Sequence, residues 1–256
     1  MITRTEVLQT PAEFAALQGR DLSQAVCVVF DVFRATSTML EALANGAACI
    51  LPVRDIATAL QARQQEASVL LAGERDGFRI GADRTGGIEF DLGNSPREFT
   101  RERVEGRKVV MTTSNGTRAL DACRGAGEVL ATSFANLQAT ASWIRERRLP
   151  HLVIVCAGTL DHASLEDTLG AGALVDRLWQ SVCGGWIDDA ARTVREVFRA
   201  NQGDLQALAG SGRNGARLLG LPELADDVPL CLMPDRFPFV ARMGRDGLLR
   251  AERASD

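Results

Sequence analysis

The chain has 256 residues, of which 46% are hydrophobic and 24% charged, so it is long enough to bury a full core. Its formal net charge is -4 and its 29 Lys and Arg residues are dispersed, so no nucleic acid partner is expected. No apolar run reaches the ~20 residues that cross a bilayer, and the polar N-terminus lacks a secretory signal pattern. We therefore expect a cytoplasmic protein with no membrane partner.

The cysteines and histidines limit the kinds of metal site that the chain can form. The 6 cysteines lie mostly in apolar segments and show no C-x-x-C spacing, which predicts buried thiols in a reducing compartment. His151 and His162 are the 2 histidines, too few for a histidine-rich site. Any metal should therefore be bound by oxygen atoms, which favours Mg²⁺.

Short apolar segments alternate with helical patterns, which predicts an α/β fold: a three-layer α/β/α arrangement with a mixed, mostly parallel sheet. The predicted strands are 25–33, 49–53, 69–73, 108–113, 128–134 and 152–158, and the predicted helices are 35–45, 55–67, 114–126, 137–148, 165–180 and 190–200. A late strand over 230–233 and a hairpin of 239–243 with 248–251 follow. We treat residues 1–256 as a single domain, although no linker excludes a division into two subdomains.

The segment 28–46 is a strand that runs directly into a helix, with Asp31, Arg34, Thr36 and Ser37 at the junction. Ligands of open α/β sheets bind beyond the carboxyl ends of the strands, where helix N-termini favour anions. A carboxylate can bind a hard cation, and an arginine can bind phosphate with two hydrogen bonds. The alternative interpretation is that Asp31 and the hydroxyl groups only cap the helix.

Polar groups also follow three other predicted strands. They are Glu74-Arg75, the segment Ser114-Asn115-Gly116-Thr117-Arg118 and Glu166-Asp167, and the long loop 77–99 adds Asn94-Ser95. Two adjacent acids at a helix start suit a Mg²⁺ site, and a glycine with neighbouring hydroxyl groups suits an anion. The alternatives are that Asp167 caps its helix reciprocally with Ser164, and that the loop is a solvated surface segment.

Ordered motifs connect these segments to a known family. They are DVFRATST at 31–38, GER at 73–75, DLGNSP at 91–96, TSNGTR at 113–118, CAGT at 156–159 and SLEDT at 164–168. With these motifs the chain resembles the 2-phosphosulfolactate phosphatase family from about 28 to 175, with a looser likeness over 211–231. The resemblance implies a Mg²⁺-dependent phosphatase that releases phosphate from (R)-2-phospho-3-sulfolactate, a step of coenzyme M biosynthesis.

The residues and the resemblance together define a predicted site for a small anionic phosphorylated substrate. Asp31, Arg34 and Glu166 are the predicted catalytic residues. Asp31, Glu74, Glu166 and Asp167 are the predicted Mg²⁺ ligands. The predicted substrate-binding residues are Thr36, Ser37, Arg75, Asn94, Ser95, Ser114, Asn115, Gly116, Thr117 and Arg118. We expect the charged members from separate strand ends to line one pocket, and both direct attack by water and a phosphorylated Asp31 remain open.

One segment departs from the family pattern. Leu160-Asp161-His162 stands where the family often carries Glu-Gly-Arg, which removes one cation that could bind an anionic substrate. No arginine follows Cys156 at the Cys-x-x-x-x-x-Arg spacing, so a cysteine nucleophile is not expected.

Two other functions remain open on the sequence alone. One is a phosphatase or phosphoryl-transfer enzyme that acts on another small phosphorylated acid. The other is a non-catalytic anion-binding protein of the same fold. We also expect a homodimer, since closed symmetric oligomers, and dimers above all, are common among soluble proteins.

Overall fold

A computed structural model describes residues 2–147 and 149–253. The strands are β1 Arg4–Leu8, β2 Ala25–Phe30, β3 Cys49–Pro52, β4 Leu70–Arg75, β5 Phe78–Arg79, β6 Lys108–Thr112, β7 Glu128–Thr132, β8 His151–Cys156, β9 Trp186–Ile187, β10 Phe239–Met243 and β11 Leu249–Arg253. The helices are α1 Pro11–Ala15, α2 Ala35–Ala44, α3 Ile56–Gln65, α4 Arg101–Val104, α5 Gly116–Ala122, α6 Leu137–Arg147, α7 Leu165–Arg177, α8 Trp179–Val182, α9 Asp189–Asn201, α10 Leu205–Ser211, α11 Arg213–Leu219 and α12 Asp227–Leu232. Arg148, the predicted last residue of helix 137–148, lies outside the described residues.

All of the described strands belong to one sheet in the order β5-β4-β6-β3-β11-β10-β7-β2-β8-β1-β9. Strands β4, β6 and β3 form one parallel set, and β7, β2, β8, β1 and β9 form a second. The hairpin of β10 and β11 joins the two sets, because β10 pairs antiparallel with β7 and β11 pairs antiparallel with β3. The predicted mixed, mostly parallel sheet is therefore confirmed.

Strand β2 shows why helices cover both faces of the sheet. Its sequence AVCVVF is apolar throughout and every residue is buried, as expected for a parallel strand covered on both sides. Val26, Val28 and Phe30 pack with the hydrophobic cluster that contains α6 and α7. Their neighbours Ala25, Cys27 and Val29 pack with the cluster that contains α2 and α5. The predicted three-layer arrangement is thus confirmed.

Side-chain caps begin two of the helices, and the predicted late hairpin is confirmed. Asp55 caps α3 by accepting a hydrogen bond from the amide of Thr58, and Asp188 caps α9 through the amide of Ala191. The late hairpin forms between β10 and β11, as its turn residues indicated. Cysteine residues are free throughout the described ranges, and Cys183 alone of the six is exposed. Within residues 2–147 and 149–253, no helix has the length and apolarity that a membrane crossing requires.

The prediction of a strand over 230–233 is wrong. These residues form the end of α12 and the Met233 that follows it. A run of four apolar residues fits a buried strand and a buried helix equally well, so periodicity does not separate the two. The helix is selected by tertiary packing, since Val228 and Cys231 lie three residues apart and both enter the cluster around α7. Strands β1 and β9 were not predicted, because one is half polar and the other has two residues.

Helix α7 carries Glu166 and Asp167, and its position depends on a close approach to α9. A Cβ atom at Gly172 would lie 2.1 Å from the carbonyl oxygen of Val194 and 2.8 Å from Cβ of Phe198. Glycine therefore permits the contact between the two helices.

We expect Gly172→Ala to lower the free energy of unfolding by about 1–3 kcal/mol, because the added methyl group must push α9 away from α7. Urea denaturation followed by tryptophan fluorescence measures this change. Gly203→Ala is the matched control, since a Cβ there meets no atom within 4 Å. Equal midpoints and slopes for the two variants would contradict the proposed steric role of Gly172.

Candidate active site

The loop after β2 places Asp31 at the start of α2. Oδ1 of Asp31 accepts a hydrogen bond from the amide of Ala35 at 3.1 Å, which satisfies a free donor of the first helical turn. Thr36 donates its hydroxyl hydrogen to the carbonyl oxygen of Asp31 at 2.9 Å. Asp31 also lines a cavity of about 260 Å³, so its contact with the helix start leaves it at the cavity surface.

The start of α5 lies directly against Asp31. A Cβ atom at Gly116 would lie 2.4 Å from Oδ2 of Asp31 and 2.7 Å from Cβ of Ala35, so only glycine fits. Asn115, the preceding residue, donates from Nδ2 to the carbonyl oxygens of Ala157 at 2.9 Å and Leu160 at 3.0 Å. The helix starts that follow β2 and β6 therefore meet beside the loop that follows β8.

Glu74 joins two of these loops through its carboxylate. Oε1 accepts hydrogen bonds from the amide and the hydroxyl of Ser114, both at 2.8 Å. Oε2 accepts one from the amide of Gly77, also at 2.8 Å. Glu74 is buried, and these three donors hold it at the cavity wall.

Glu166 and Asp167 do not line the cavity, but Asp167 bonds directly to the loop after β2 and Glu166 is linked to it through Asn214. Asp167 accepts from the amide of Val32 at 2.8 Å through Oδ1 and from the amide of Gly158 at 3.0 Å through Oδ2. The predicted alternative, a reciprocal cap with Ser164, does not form. Glu166 accepts from Nδ2 of Asn214 at 3.1 Å, and the same nitrogen donates to the carbonyl oxygen of Phe33.

Asp31, Glu74, Glu166 and Asp167 form what we call the acid cluster, and burial makes their negative charges costly. Burial and then the charge of Asp167 raise the pKa of Asp31 to about 8. Burial and then the charge of Glu166 raise the pKa of Asp167 to about 8. Burial and the charge of Asp31 raise the pKa of Glu166 to about 7. The carboxylates thus interact electrostatically, and a bound cation would relieve their repulsion.

The structure brings together part of the predicted site. The predicted residues that line the cavity are Asp31, Arg34, Glu74, Asn94, Ser114 and Asn115. Three more predicted residues contact lining residues without lining the cavity themselves. Glu166 accepts a hydrogen bond from Asn214, Asp167 accepts one from Gly158, and Gly116 packs against Asp31. Four strand ends, those of β2, β4, β6 and β8, therefore contribute to one site.

Other predicted site residues do not line this cavity. Thr36, Ser37 and Thr117 direct their hydroxyl groups to backbone oxygens of their own loops. Ser95 donates to Asp227 at 2.7 Å. Arg75 donates to the carbonyl oxygen of Glu74 and to Thr112 on β6, and Arg118 is exposed on α5. Their roles in substrate binding stay predictions.

Asp227 is a site residue that the sequence did not reveal. Its carboxylate is fully buried and accepts hydrogen bonds from Nη1 of Arg34 at 2.7 Å and Nε of Arg97 at 2.8 Å. Arg34 also donates from Nη2 to the carbonyl oxygen of Gly77 at 2.8 Å. The guanidinium of Arg34 is therefore held by Asp227 and by the turn after β4.

Helix α11 adds four more lining residues that the sequence did not reveal: Arg213, Asn214, Arg217 and Leu218. Among the features described above, only the looser likeness to the family over 211–231 covers this region. Arginines four residues apart on one helix face were the available signal, but such spacing is also common on solvated helices.

Two oxygen atoms at the cavity have no hydrogen-bond partner among the described residues. They are Oδ1 of Asn94 and Oγ1 of Thr159, and both are buried. Because buried oxygens normally accept hydrogen bonds, these two atoms are suited to a bound ligand, ion or water.

Comparisons with known proteins agree with the motifs. The family model described as 2-phosphosulpholactate phosphatase matches residues 13–245. A relative from Thermotoga petrophila is 38% identical over 213 residues, which cover 83% of this chain and 86% of the relative. One from Caldanaerobacter subterraneus subsp. tengcongensis is 34% identical over 247 residues, 95% of this chain and 97% of the relative. Both bear the name "Probable 2-phosphosulfolactate phosphatase". The predicted resemblance is therefore confirmed, and the chain belongs to the 2-phosphosulfolactate phosphatase family.

Proposed function

We propose that this protein is a Mg²⁺-dependent phosphatase that hydrolyses 2-phosphosulfolactate to sulfolactate and phosphate. Membership of the family and the names of its relatives support the reaction and the substrate. The observation that carries the proposal is the meeting of the acid cluster with arginine side chains at one cavity. Phosphoryl transfer needs this arrangement, because it depends chiefly on positioning and on the stabilisation of negative charge.

The donor set of the cavity fits Mg²⁺. Asp31 accepts no hydrogen bond at Oδ2 from the described residues, whereas Glu74 and Asp167 use both carboxylate oxygens. The unpartnered Oδ1 of Asn94 is a second oxygen donor on the same wall. No three acidic, His or Cys side chains within residues 2–147 and 149–253 form a ready metal-binding group. Mg²⁺ commonly uses one or two protein carboxylates and retains waters, so Asp31 with Asn94 would be a sufficient protein donor set.

Asp31 and Asn94 would hold the ion, and Glu166 and Asp167 would supply further negative charge close behind Asp31. When bound, Mg²⁺ supplies Lewis acidity toward the phosphate oxygens. Arg34 is held with its guanidinium at the cavity and can stabilise charge on the phosphate. Glu166 has a pKa raised to about 7, so its carboxyl group can hold or release a proton near neutral pH.

We expect phosphate release from 2-phosphosulfolactate in the presence of Mg²⁺, its loss in EDTA and its recovery when Mg²⁺ is restored. Asp31→Asn keeps the side-chain shape but removes the charge, so kcat should fall at least about 100-fold. A malachite-green phosphate assay measures both effects.

Asp161→Asn is the matched control for this experiment, since Asp161 is exposed and does not line the cavity. It should keep the activity of the unchanged protein. Full activity in EDTA, or in Asp31→Asn, would refute the metal-centred proposal. Faster release from another phosphorylated hydroxy acid, such as 2-phospholactate, would assign a different substrate.

The acid cluster also predicts how stability depends on pH without Mg²⁺. Folding raises the pKa values of Asp31, Glu166 and Asp167 to about 8, 7 and 8, from unfolded values of about 4. Between these values the folded state binds more protons than the unfolded state, so stability falls as the pH rises. We expect the free energy of unfolding in EDTA to decrease from pH 5 to pH 8, as measured by urea denaturation.

Mg²⁺ should reduce this decrease, because a bound cation stabilises the ionised carboxylates in the folded state. Asp31→Asn in EDTA should also show a smaller decrease, since one of the three buried acids is gone. An identical pH dependence with and without saturating Mg²⁺ would show that the ion does not bind near the acid cluster.

A further inference from the structure

Arg213 and Arg217 line the cavity, and we call them the arginine pair. Both side chains are exposed, and neither forms an ion pair or a side-chain hydrogen bond with the described residues. Arg34 differs, because the buried carboxylate of Asp227 already offsets its charge. The arginine pair therefore contributes positive charge that the described residues leave without a partner.

The fold holds the arginine pair in place on α11. Gly215 lies so close to α10 that a Cβ atom there would be 2.1 Å from the carbonyl oxygen of Ala209. Leu218 is buried in the hydrophobic core, and Asn214 donates to the carbonyl oxygen of Phe33 and to Glu166. These contacts attach the helix to the loop after β2, so the backbone positions of its two arginines are fixed relative to that loop.

The spacing of the arginine pair concentrates charge at one side of the cavity. Residues four apart lie on the same face of a helix, where like charges repel and destabilise it. A Cβ atom at Gly77 would lie 2.7 Å from Nη2 of Arg217, and the carbonyl oxygen of Gly77 accepts from Arg34. Arg34 and Arg217 thus approach the same turn, and a bound anion would offset the repulsion between the guanidinium groups.

We propose that the arginine pair binds the non-reacting anionic group of the substrate, a carboxylate or sulfonate, and so selects phosphorylated acids over neutral phosphate esters. This inference rests on the proposed phosphatase function. The acid cluster comes from β4, from the loop after β2 and from the start of α7, and it would serve the phosphate with its cation. The arginine pair comes from a different element and serves the group that does not react.

Four phosphate esters of one carbon skeleton separate the contributions of the anionic groups. They are 2-phosphosulfolactate, 2-phospholactate without the sulfonate, the phosphate ester of 2-hydroxypropane-1-sulfonate without the carboxylate, and isopropyl phosphate with neither. kcat/KM is measured for each ester with the unchanged protein, Arg213→Gln, Arg217→Gln and the control Arg192→Gln. Arg192 is an exposed residue of α9 that does not line the cavity.

We expect each Gln variant of the pair to lower kcat/KM for 2-phosphosulfolactate about 10-fold or more, the loss expected for one charge-assisted contact. For isopropyl phosphate the change should stay below about 2-fold, since no anionic group remains to be bound. Of the two singly anionic esters, the one that keeps the larger loss identifies the group that the pair binds. Equal losses on 2-phosphosulfolactate and isopropyl phosphate, or no loss on either, would overturn the proposal.

Calorimetric titration with sulfolactate tests the arginine pair independently of catalysis. Sulfolactate should bind the unchanged protein and Arg192→Gln with similar affinity, and the Arg213→Gln, Arg217→Gln double variant at least about 10-fold more weakly. Unaltered affinity in the double variant, or no binding to the unchanged protein, would overturn the inference. Absence of phosphate release from 2-phosphosulfolactate together with normal sulfolactate binding would refute the proposed function alone.

Discussion

The burial of several carboxylates in one small volume is the constraint on which this site depends. Buried negative charges are unfavourable unless donors or cations surround them. Here the donors are backbone amides of the loops themselves: Val32 and Gly158 bond to Asp167, Ala35 to Asp31, and Gly77 and Ser114 to Glu74. Two of these bonds join segments that follow different strands, because Val32 after β2 donates to Asp167 and Ser114 after β6 donates to Glu74 at the end of β4. These segments therefore constrain one another's conformations.

A second requirement is that opposite charges stay apart within the cavity. Arg34 follows Asp31 by three residues, and an ion pair between the two would leave less charge of either sign for the substrate and its cation. Arg34 is instead bound to Asp227 and to the carbonyl oxygen of Gly77, while Glu74 binds the amide of that same glycine. The turn after β4 thus lies between acidic and basic groups, and both signs of charge remain at the cavity surface.

The strands and the strand-end site residues that were predicted correctly are those that local sequence patterns determine. An unbroken apolar strand predicted β2 and its two covered faces, and polar groups at strand ends predicted the residues that gather around Asp31. The sequence did not predict Asp227, because its partner Arg34 is 193 residues away and no local pattern records that pairing. The arginine pair was not predicted for the same reason, since only tertiary packing places α11 beside the cavity. Thr36 and Thr117 show the opposite case. Their hydroxyl groups were predicted to bind the substrate, but in the structure they donate to backbone oxygens of their own loops.

The central position of the β10 and β11 hairpin has a consequence for synthesis of the protein. These strands come later in the chain than every other described strand, yet they lie between β3 and β7. Until they leave the ribosome, the facing edges of β3 and β7 have no partner, and each parallel set remains a separate sheet with an open edge. Open edges can pair with other chains, so the nascent protein is most exposed to aggregation just before its last described strands emerge.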